Sequence, residues 1–323
     1  MAAGWFTVEV VDKRAEAEDI FVFELANSDG SALPAFDAGA HVEVLLGGSV
    51  RHYSLCNSPI ERHRYLLGIL REEPGRGGSR MFCDSRTIGD VVTIRGPHNR
   101  FRLVGGASQS ILIAGGIGVT PLIAMAEQLA AKGSCFELHY LARTRARTAF
   151  FDRLTVSAFA PSVQFHFDDG PAEQQAQISA ILGAAEPGKH VYICGPGGMM
   201  DAAIAIATKN GWHQNNIHTE RFANGGAPAA ENVENGEFHV EINSTGQRVL
   251  VLAGQTVVRA LAEAKIQIST SCEEGICGTC IVGVLDGVPD HRDAILTDEE
   301  RLGGKLFVPC CSRAKSNVLV LDL

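Results

Sequence analysis

The placement of four cysteines near the C-terminus constrains this chain most. Cys272, Cys277 and Cys280 lie in the run Cys272-Glu273-Glu274-Gly275-Ile276-Cys277-Gly278-Thr279-Cys280. The spacing is C-x4-C-x2-C, and 29 residues separate Cys280 from Cys310. Four thiolates spaced this way can converge on the two irons of a plant-type [2Fe–2S] cluster. Gly275 and Gly278 let the intervening backbone curl and aim N–H groups at the sulfurs. Zinc and buried free thiols are the other readings. Structural zinc favours two C-x2-C-like knuckles, and the segment has one. Cys311 follows Cys310 directly, so the spacing alone leaves either as the fourth ligand.

Length sets the scale around that loop. A chain of 323 residues is expected to hold two or three domains. The net charge of −9 argues against a nucleic-acid footprint and suits a basic protein partner. The start, Met1-Ala2-Ala3-Gly4-Trp5, lacks the basic and apolar regions of a secretory signal. Nine cysteines without such a signal point to metal or redox chemistry rather than disulfides. The most apolar stretch, Ile111 to Ala131, is interrupted by Gly115, Gly116, Gly118, Pro121 and Glu127, so no membrane span is expected.

The first hundred residues read as β. Trp5 to Val10, His41 to Leu45, Tyr65 to Leu70 and Asp90 to Ile94 are short strand-like runs separated by Gly and Pro. Such density suggests a small barrel. From Ser110 the rhythm changes. Strands are expected at Ile111–Ala114, Phe136–Leu141, Val163–Phe167 and Val191–Cys194. Helices are expected at Pro121–Ala131, Thr148–Phe159, near Ala176–Leu182 and at Met199–Lys209. That alternation implies a parallel sheet covered on both faces. The segment from Ala223 to Gly236 has few groups able to build a core and reads as a linker. Beyond it come a hairpin around Asn243-Ser244-Thr245-Gly246, a helix at Thr256–Ala264 and a last strand at Val318–Leu321.

Three further motifs carry chemistry. Ala114-Gly115-Gly116-Ile117-Gly118-Val119-Thr120-Pro121 ends a strand and opens a helix, as a pyrophosphate-binding turn would. It lacks the third Gly of the full dinucleotide fingerprint. Cys194-Gly195-Pro196-Gly197-Gly198 ends another strand of the same sheet, and ligands bind beyond such ends. On the barrel, alternation places Arg51 and Tyr53 of Arg51-His52-Tyr53-Ser54-Leu55 on one face. An Arg can neutralise a phosphate, and an aromatic can cover a flavin ring. Gly75-Arg76-Gly77-Gly78-Ser79-Arg80 offers a flexible loop rich in N–H groups, with two cations. Cys56, Cys83 and Cys135 are isolated and are assigned packing roles.

Together these segments resemble the phthalate dioxygenase reductase family, the reductases of Rieske-type oxygenases. The resemblance spans essentially the whole chain. It includes Arg51-x-Tyr53-Ser54, the Gly75–Ser79 loop, Ala114 to Pro121, Cys194-Gly195-Pro196 and Glu220-x-Phe222. It continues through the cluster loop into Asp290-His291-Arg292-Asp293 and Cys310-x-Ser312-Arg313. The tail pattern favours Cys310 as the fourth ligand and makes Cys311 a buried small hydrophobe.

The resemblance implies an antiparallel Greek-key β-barrel, then an α/β doubly wound parallel sheet, then a β-grasp ferredoxin. The expected limits are a flavin barrel at 1–104, a nicotinamide domain at 105–224, a linker at 225–236 and the ferredoxin at 237–323. Arg51, Tyr53, Ser54, Gly77, Gly78 and Ser79 would hold FMN, with Gly68, Ile69 and Leu70 running past its ring. Gly116, Gly118, Cys194, Gly195 and Pro196 would line the nicotinamide path. Ser54, Thr120 and Phe222 would stand at the reacting atoms: Thr120 bonds near the flavin, and Phe222 covers the face NADH must reach. Leu70 stands where a relative has Lys. FMN is expected over FAD, and NADH over NADPH; Arg143 and Arg145 could meet a 2′-phosphate or equally form a solvated loop contacting the adenosine. Electrons would pass from NADH through FMN and [2Fe–2S] to the oxygenase.

The cofactors would supply the redox chemistry, so no acid–base dyad is expected, and His166 and His291 are assigned structural roles. The protein is expected to be a cytoplasmic monomer. Residues 237–323 carry twelve acidic and eight basic residues, with Asp286, Asp290, Asp293, Asp298, Glu299 and Glu300 gathered after the cluster loop. They form either an ordinary soluble surface or a docking face for a basic oxygenase surface. The alternatives are a reductase for a cytochrome or another hydroxylase, and a non-catalytic iron–sulfur sensor.

Overall fold

The structure is a computed structural model that describes residues 4–47, 49–72, 78–169, 176–222, 236–270, 273, 275–276 and 278–323. Two compact units form, Met1–Phe222 and Ala223–Leu323. Apart from Gly236, the expected linker lies outside the described residues.

The first unit opens with six antiparallel strands: β1 (Phe6–Ala17), β2 (Ile20–Ala26), β3 (Ala40–Leu46), β4 (Ser49–Ser54), β5 (Tyr65–Leu70) and β6 (Val91–Asn99). Their order is β4-β3-β6-β1-β2-β5. A bridge between Leu55 and Leu67 joins the two edges, and Cys56 N–H donates to the Leu66 carbonyl at 3.0 Å. The sheet therefore curls into a barrel, which protects its edges. Phe23, Leu25, Val42, Val44, Leu67 and Ile69 fill it.

Helix α1 (Gly78–Ser85) adds Phe82 to that core, edge-on to Phe23 at 4.7 Å. The sequence reads this stretch as loop. The second half of β1 and all of β2 also go unread. Asp12 to Ala17 is polar because that end of β1 is largely solvent-facing. The turn into β2 is the tight pair Glu18-Asp19, with Asp19 at φ +60°.

The second half of this unit is β7 (Gln109–Gly115), α2 (Val119–Ala131), β8 (Phe136–Ala142), α3 (Phe151–Thr155), β9 (Val163–Phe167), α4 (Ile178–Leu182), β10 (Lys189–Cys194), α5 (Gly197–Lys209) and β11 (Ile217–Glu220). All five strands are parallel, in the order β11-β10-β7-β8-β9. Leu112, Leu138 and Tyr140 pack under α2, while Ile111, Ile113, Val191 and Ile193 pack with α5 on the other face. The expected helix over Thr148–Phe159 is shorter, because a 3-10 turn occupies Arg145–Arg147 and Phe150 sits at φ +60°. Ile20, Val22, Cys56 and Leu66 of the barrel share a core with α2, which fuses barrel and sheet into one unit.

The second unit comprises β12 (Phe238–Ile242), β13 (Arg248–Val251), α6 (Val257–Glu263), β14 (Val282–Asp286), β15 (Pro289–Asp290), α7 (Asp298–Gly303), β16 (Leu306–Phe307), β17 (Arg313–Ala314) and β18 (Val318–Asp322). The sheet order is β13-β12-β18-β14-β16, with β12 and β18 parallel. Val257, Ala260 and Leu261 of α6 pack on Val240, Leu319 and Leu321. One helix laid across a mixed sheet is the β-grasp arrangement. Thr256 caps α6 by accepting from Arg259 N–H at 3.2 Å. Among the described residues, no helix is long and apolar enough to cross a membrane.

Candidate functional site

The parallel sheet reverses its winding between β7 and β10, and ligands of such sheets bind at that switch point. Both glycine turns lie there, and they meet. A Cβ on Gly118 would overlap the Cys194 carbonyl, and one on Gly195 would lie 2.8 Å from Gly115 Cα. Gly116 takes φ +52°, a conformation that glycine adopts freely. Pro196 precedes α5 as its N-cap residue. Cys194 is fully buried, and burial raises its thiol well above the usual range, helped by the nearby Glu220. Phe222 follows β11 with 41% of its surface exposed.

Arg51 and Tyr53 stand opposite Val44 and Val42, on the inner face of β4. The Arg51 side chain crosses Gly78, where a Cβ would overlap its guanidinium nitrogen. A helix N-terminus and a guanidinium therefore face one place, as a phosphate requires. The Tyr53 hydroxyl is buried and finds no hydrogen-bond partner among the described residues. Burial also raises its ionisation above the ordinary phenol range. A buried hydroxyl without a partner, beside a cation and a helix start, fits a phosphorylated flavin. Ser79 Oγ accepts from Glu72 N–H at 3.3 Å. Gly77 lies outside the described residues.

Gly68 brings β5 against the start of α2. A Cβ there would lie 2.8 Å from Thr120 Cγ2 and 3.1 Å from the Phe150 ring. Thr120 is buried and donates to the Ile117 carbonyl at 3.0 Å. Ile69 turns its side chain into the barrel core, so only its backbone can border a ligand. Leu70 is half-buried.

Ser54 points outward from the barrel and donates to Glu220 Oε2 at 3.4 Å. His41 Nδ1 lies 4.0 Å from Glu220 Oε1. Burial pushes the Glu220 carboxyl up to about 8. Burial also takes His41 down to about 3, with His52, His98 and Arg100 adding like charge. Neither Glu220 nor His41 is expected from the sequence to have a role. The only signal was Glu220-x-Phe222, because Ser54 and Glu220 lie 166 positions apart.

In the second unit, Cys272 and Cys277 lie outside the described residues. Cys280 and Cys310 are both 4% exposed and share an apolar nest with Leu296 and Val308. The Cys310 thiol lies against both Cys280 and its neighbour Cys311. Cys311 is half-buried rather than buried, packs at the edge of that nest and also lies against the loop, where a Cβ on Gly275 would overlap its Sγ. Gly275 and Gly278 take φ +73° and +66°. Two buried thiols meeting beneath a curled loop fit an iron–sulfur cluster.

Asp293 corrects the expected acidic face. Its carboxylate is buried, because it accepts from Ile295 N–H at 3.2 Å and Leu296 N–H at 2.9 Å. Arg301 donates to its backbone carbonyl at 2.6 Å, and Ala294 N–H reaches the Gly275 carbonyl at 3.0 Å. Asp293 thus ties α7 to the cluster loop. Glu300 is engaged in the capping box with Thr297, and Asp290 pairs with Arg292. His291 sits beside Asp293, Nδ1 to Oδ2 at 3.6 Å, and His166 pairs with His139 at 3.1 Å. Cys56 and Cys83 are buried, and burial lifts each thiol to about 12. Cys135 is exposed, so its assigned packing role does not hold.

Comparison with known proteins follows this division. Residues 240–315 match the 2Fe-2S iron-sulfur cluster binding domain family. Residues 93–217 match the N-terminal domain of dimethylamine monooxygenase subunit DmmA-like proteins. Vanillate O-demethylase oxidoreductase of Pseudomonas sp. strain HR199 is 48% identical over 313 residues, 96% of this chain and 97% of that protein. The solved structure of phthalate dioxygenase reductase is 38% identical with a TM-score of 0.75, covering 99% of this chain and 98% of that one. The chain belongs to the phthalate dioxygenase reductase family.

As a member of the phthalate dioxygenase reductase family, the chain is an electron-transfer oxidoreductase. Its antiparallel barrel, parallel α/β sheet and C-terminal 2Fe-2S domain are that fold. The same architecture occurs within an intact type IV self-sufficient cytochrome P450 monooxygenase, with 37% identity and a TM-score of 0.85. That match covers 99% of this chain and 41% of the P450 chain.

Proposed function

We propose that the chain is the reductase component of a Rieske-type oxygenase or demethylase, working as a cytoplasmic monomer with FMN and NADH. The observation that carries this reading is the meeting of Gly68, Thr120 and the Gly118–Cys194 contact at the joint of barrel and sheet. FMN held there would supply the conversion of a hydride's electron pair into single electrons, and a [2Fe–2S] cluster would accept them one at a time.

The chain's own residues do the positioning. Arg51 and the start of α1 hold the phosphate, and Tyr53 borders it. Ser54 and Thr120 would border the reacting edge of the ring, and Gly68, with no side chain, would leave room for it. Gly116, Gly118, Cys194, Gly195 and Pro196 line the nicotinamide path, and Phe222 covers the ring face until NADH arrives. Cys272, Cys277, Cys280 and Cys310 ligate the cluster. We place the domain limits at 1–104, 105–224 and 237–323, with 225–236 as linker.

Reconstitution tests this reading. Purified protein with FMN should bleach with NADH and pass electrons to a Rieske oxygenase, with a higher kcat/KM for NADH than for NADPH. Protein that holds no flavin, or prefers NADPH, would contradict it. The likeness to a self-sufficient P450 favours a second reading, a haem acceptor. Reduction of a cytochrome P450 faster than any Rieske protein would select it.

A further inference from the structure

We propose that His41, His52 and His98, gathered around Glu43, form a proton port connecting Ser54 and Glu220 with solvent. This rests on the flavin reading above. A hydride brings one proton and two electrons to the flavin. Both electrons leave singly for the cluster, so one proton per NADH must leave by another way. Ser54 is 5% exposed, so the proton needs a route through the protein.

Strand register builds that route. On β3, Val42 and Val44 face the barrel core, and His41 and Glu43 face outward. Across β4, His41 stands opposite Ser54 and Glu43 opposite His52. Across β6, His41 stands opposite His98 and Glu43 opposite Arg95. Three adjacent strands thus display a continuous titratable patch outside the barrel. Its inner end is Glu220, reached from Ser54 at 3.4 Å and facing His41 Nδ1 at 4.0 Å.

The patch is connected and graded. The His41 ring lies 5.0 Å from His52 and 5.9 Å from His98. Glu43 lies between them, with His52 Nε2 and His98 Nε2 each 3.7 Å from its carboxylate, and Arg95 pairs with it. Side-chain exposure climbs from 11% at His41 through 21% at His52 to 37% at His98. An imidazole passes a proton by accepting on one nitrogen and releasing from the other. The groups facing the path are Arg95 and Arg100, with Cys194 beside Glu220 on the neighbouring strand. The raised Glu220 and lowered His41 make the inner pair rest as neutral acid and neutral base.

Two measurements test the port. In the flavin-loaded protein, one equivalent of NADH is followed by stopped-flow reoxidation with ferricyanide in H2O and D2O. His41→Asn is expected to slow reoxidation about tenfold or more, with an enlarged solvent isotope effect, and added imidazole is expected to restore the rate. His98→Gln, at the exposed rim, should act in the same direction and guards against misfolding at His41. Unchanged rates in both variants would overturn the port. Wild-type flavin that NADH does not bleach would instead overturn the flavin reading. The second measurement needs no turnover: Glu220→Gln should shift the NMR titration of His41. A His41 titration that ignores Glu220→Gln would also overturn the port.

Discussion

Gly118 presses on the backbone carbonyl of Cys194 so closely that a methyl group at Gly118 would overlap it. The contact joins the start of α2 to the end of β10, the two strand ends where a dinucleotide would lie. Gly118→Ala must push these turns apart. Relieving such an overlap costs about 1–3 kcal/mol. Gly116→Ala has open space around it and φ +52°, so it costs about 1–2 kcal/mol through backbone strain alone. Steady-state kinetics and thermal melts separate the two: Gly118→Ala should raise the KM for NADH well beyond Gly116→Ala at similar loss of stability.

The raised Glu220 carboxyl carries a pH signature. Its folded value of about 8 lies above the ordinary 4.5, so the folded protein holds this proton more tightly than the unfolded chain. The resulting stabilisation is complete below the unfolded value and fades as pH rises through the folded one, by at most a few kcal/mol. Glu220→Gln imitates the protonated acid. Melting curves between about pH 5 and about pH 9 should therefore fall less steeply for Glu220→Gln than for the parent. Parallel curves would show that Glu220 titrates normally.

Much of this was legible in the sequence because Cys and Gly tolerate few substitutes. The C-x4-C-x2-C loop and the two strand-end glycine turns could be read directly, while the β-grasp followed from the family resemblance. Helix α1 was not, because Gly78-Ser79-Arg80 looks like loop and Phe82 makes it a helix only by packing on Phe23. Asp293 looked like one surface acid among six, and only the fold turns it inward. His41, His52 and His98 share a face only through the register of β3, β4 and β6. Glu220 reaches that face from the far end of the first unit.

Cys310 is buried in the nest with Cys280 while Cys311 sits half-buried at its edge, and their variants should differ. Cys310→Ala removes the thiol that meets Cys280 and should abolish or grossly perturb the cluster's visible and EPR spectra. Cys311→Ala removes a contact with Gly275 and should leave both nearly intact. The reverse outcome would make Cys311 the ligand.

With Asp293 buried and Glu300 engaged in a helix cap, the acidic docking face rests on fewer groups, Asp286 and Glu299 among them. Leu302, 89% exposed on α7, adds an apolar contact. Exposed charges are screened within about 8–10 Å at ordinary ionic strength. Electron transfer to the oxygenase should slow as salt rises, and Glu299→Gln should lessen that dependence. A rate indifferent to salt would remove charge from the docking account.

The central claim is an ordered path from NADH through the flavin to the [2Fe–2S] cluster. Anaerobic stopped-flow absorbance with NADH, comparing the parent with Cys310→Ala, tests it most directly. The account predicts flavin bleaching followed by cluster bleaching in the parent. In Cys310→Ala it predicts flavin bleaching alone, with no electrons delivered to the oxygenase. Cluster reduction that precedes the flavin, or delivery that survives loss of the cluster, would contradict it.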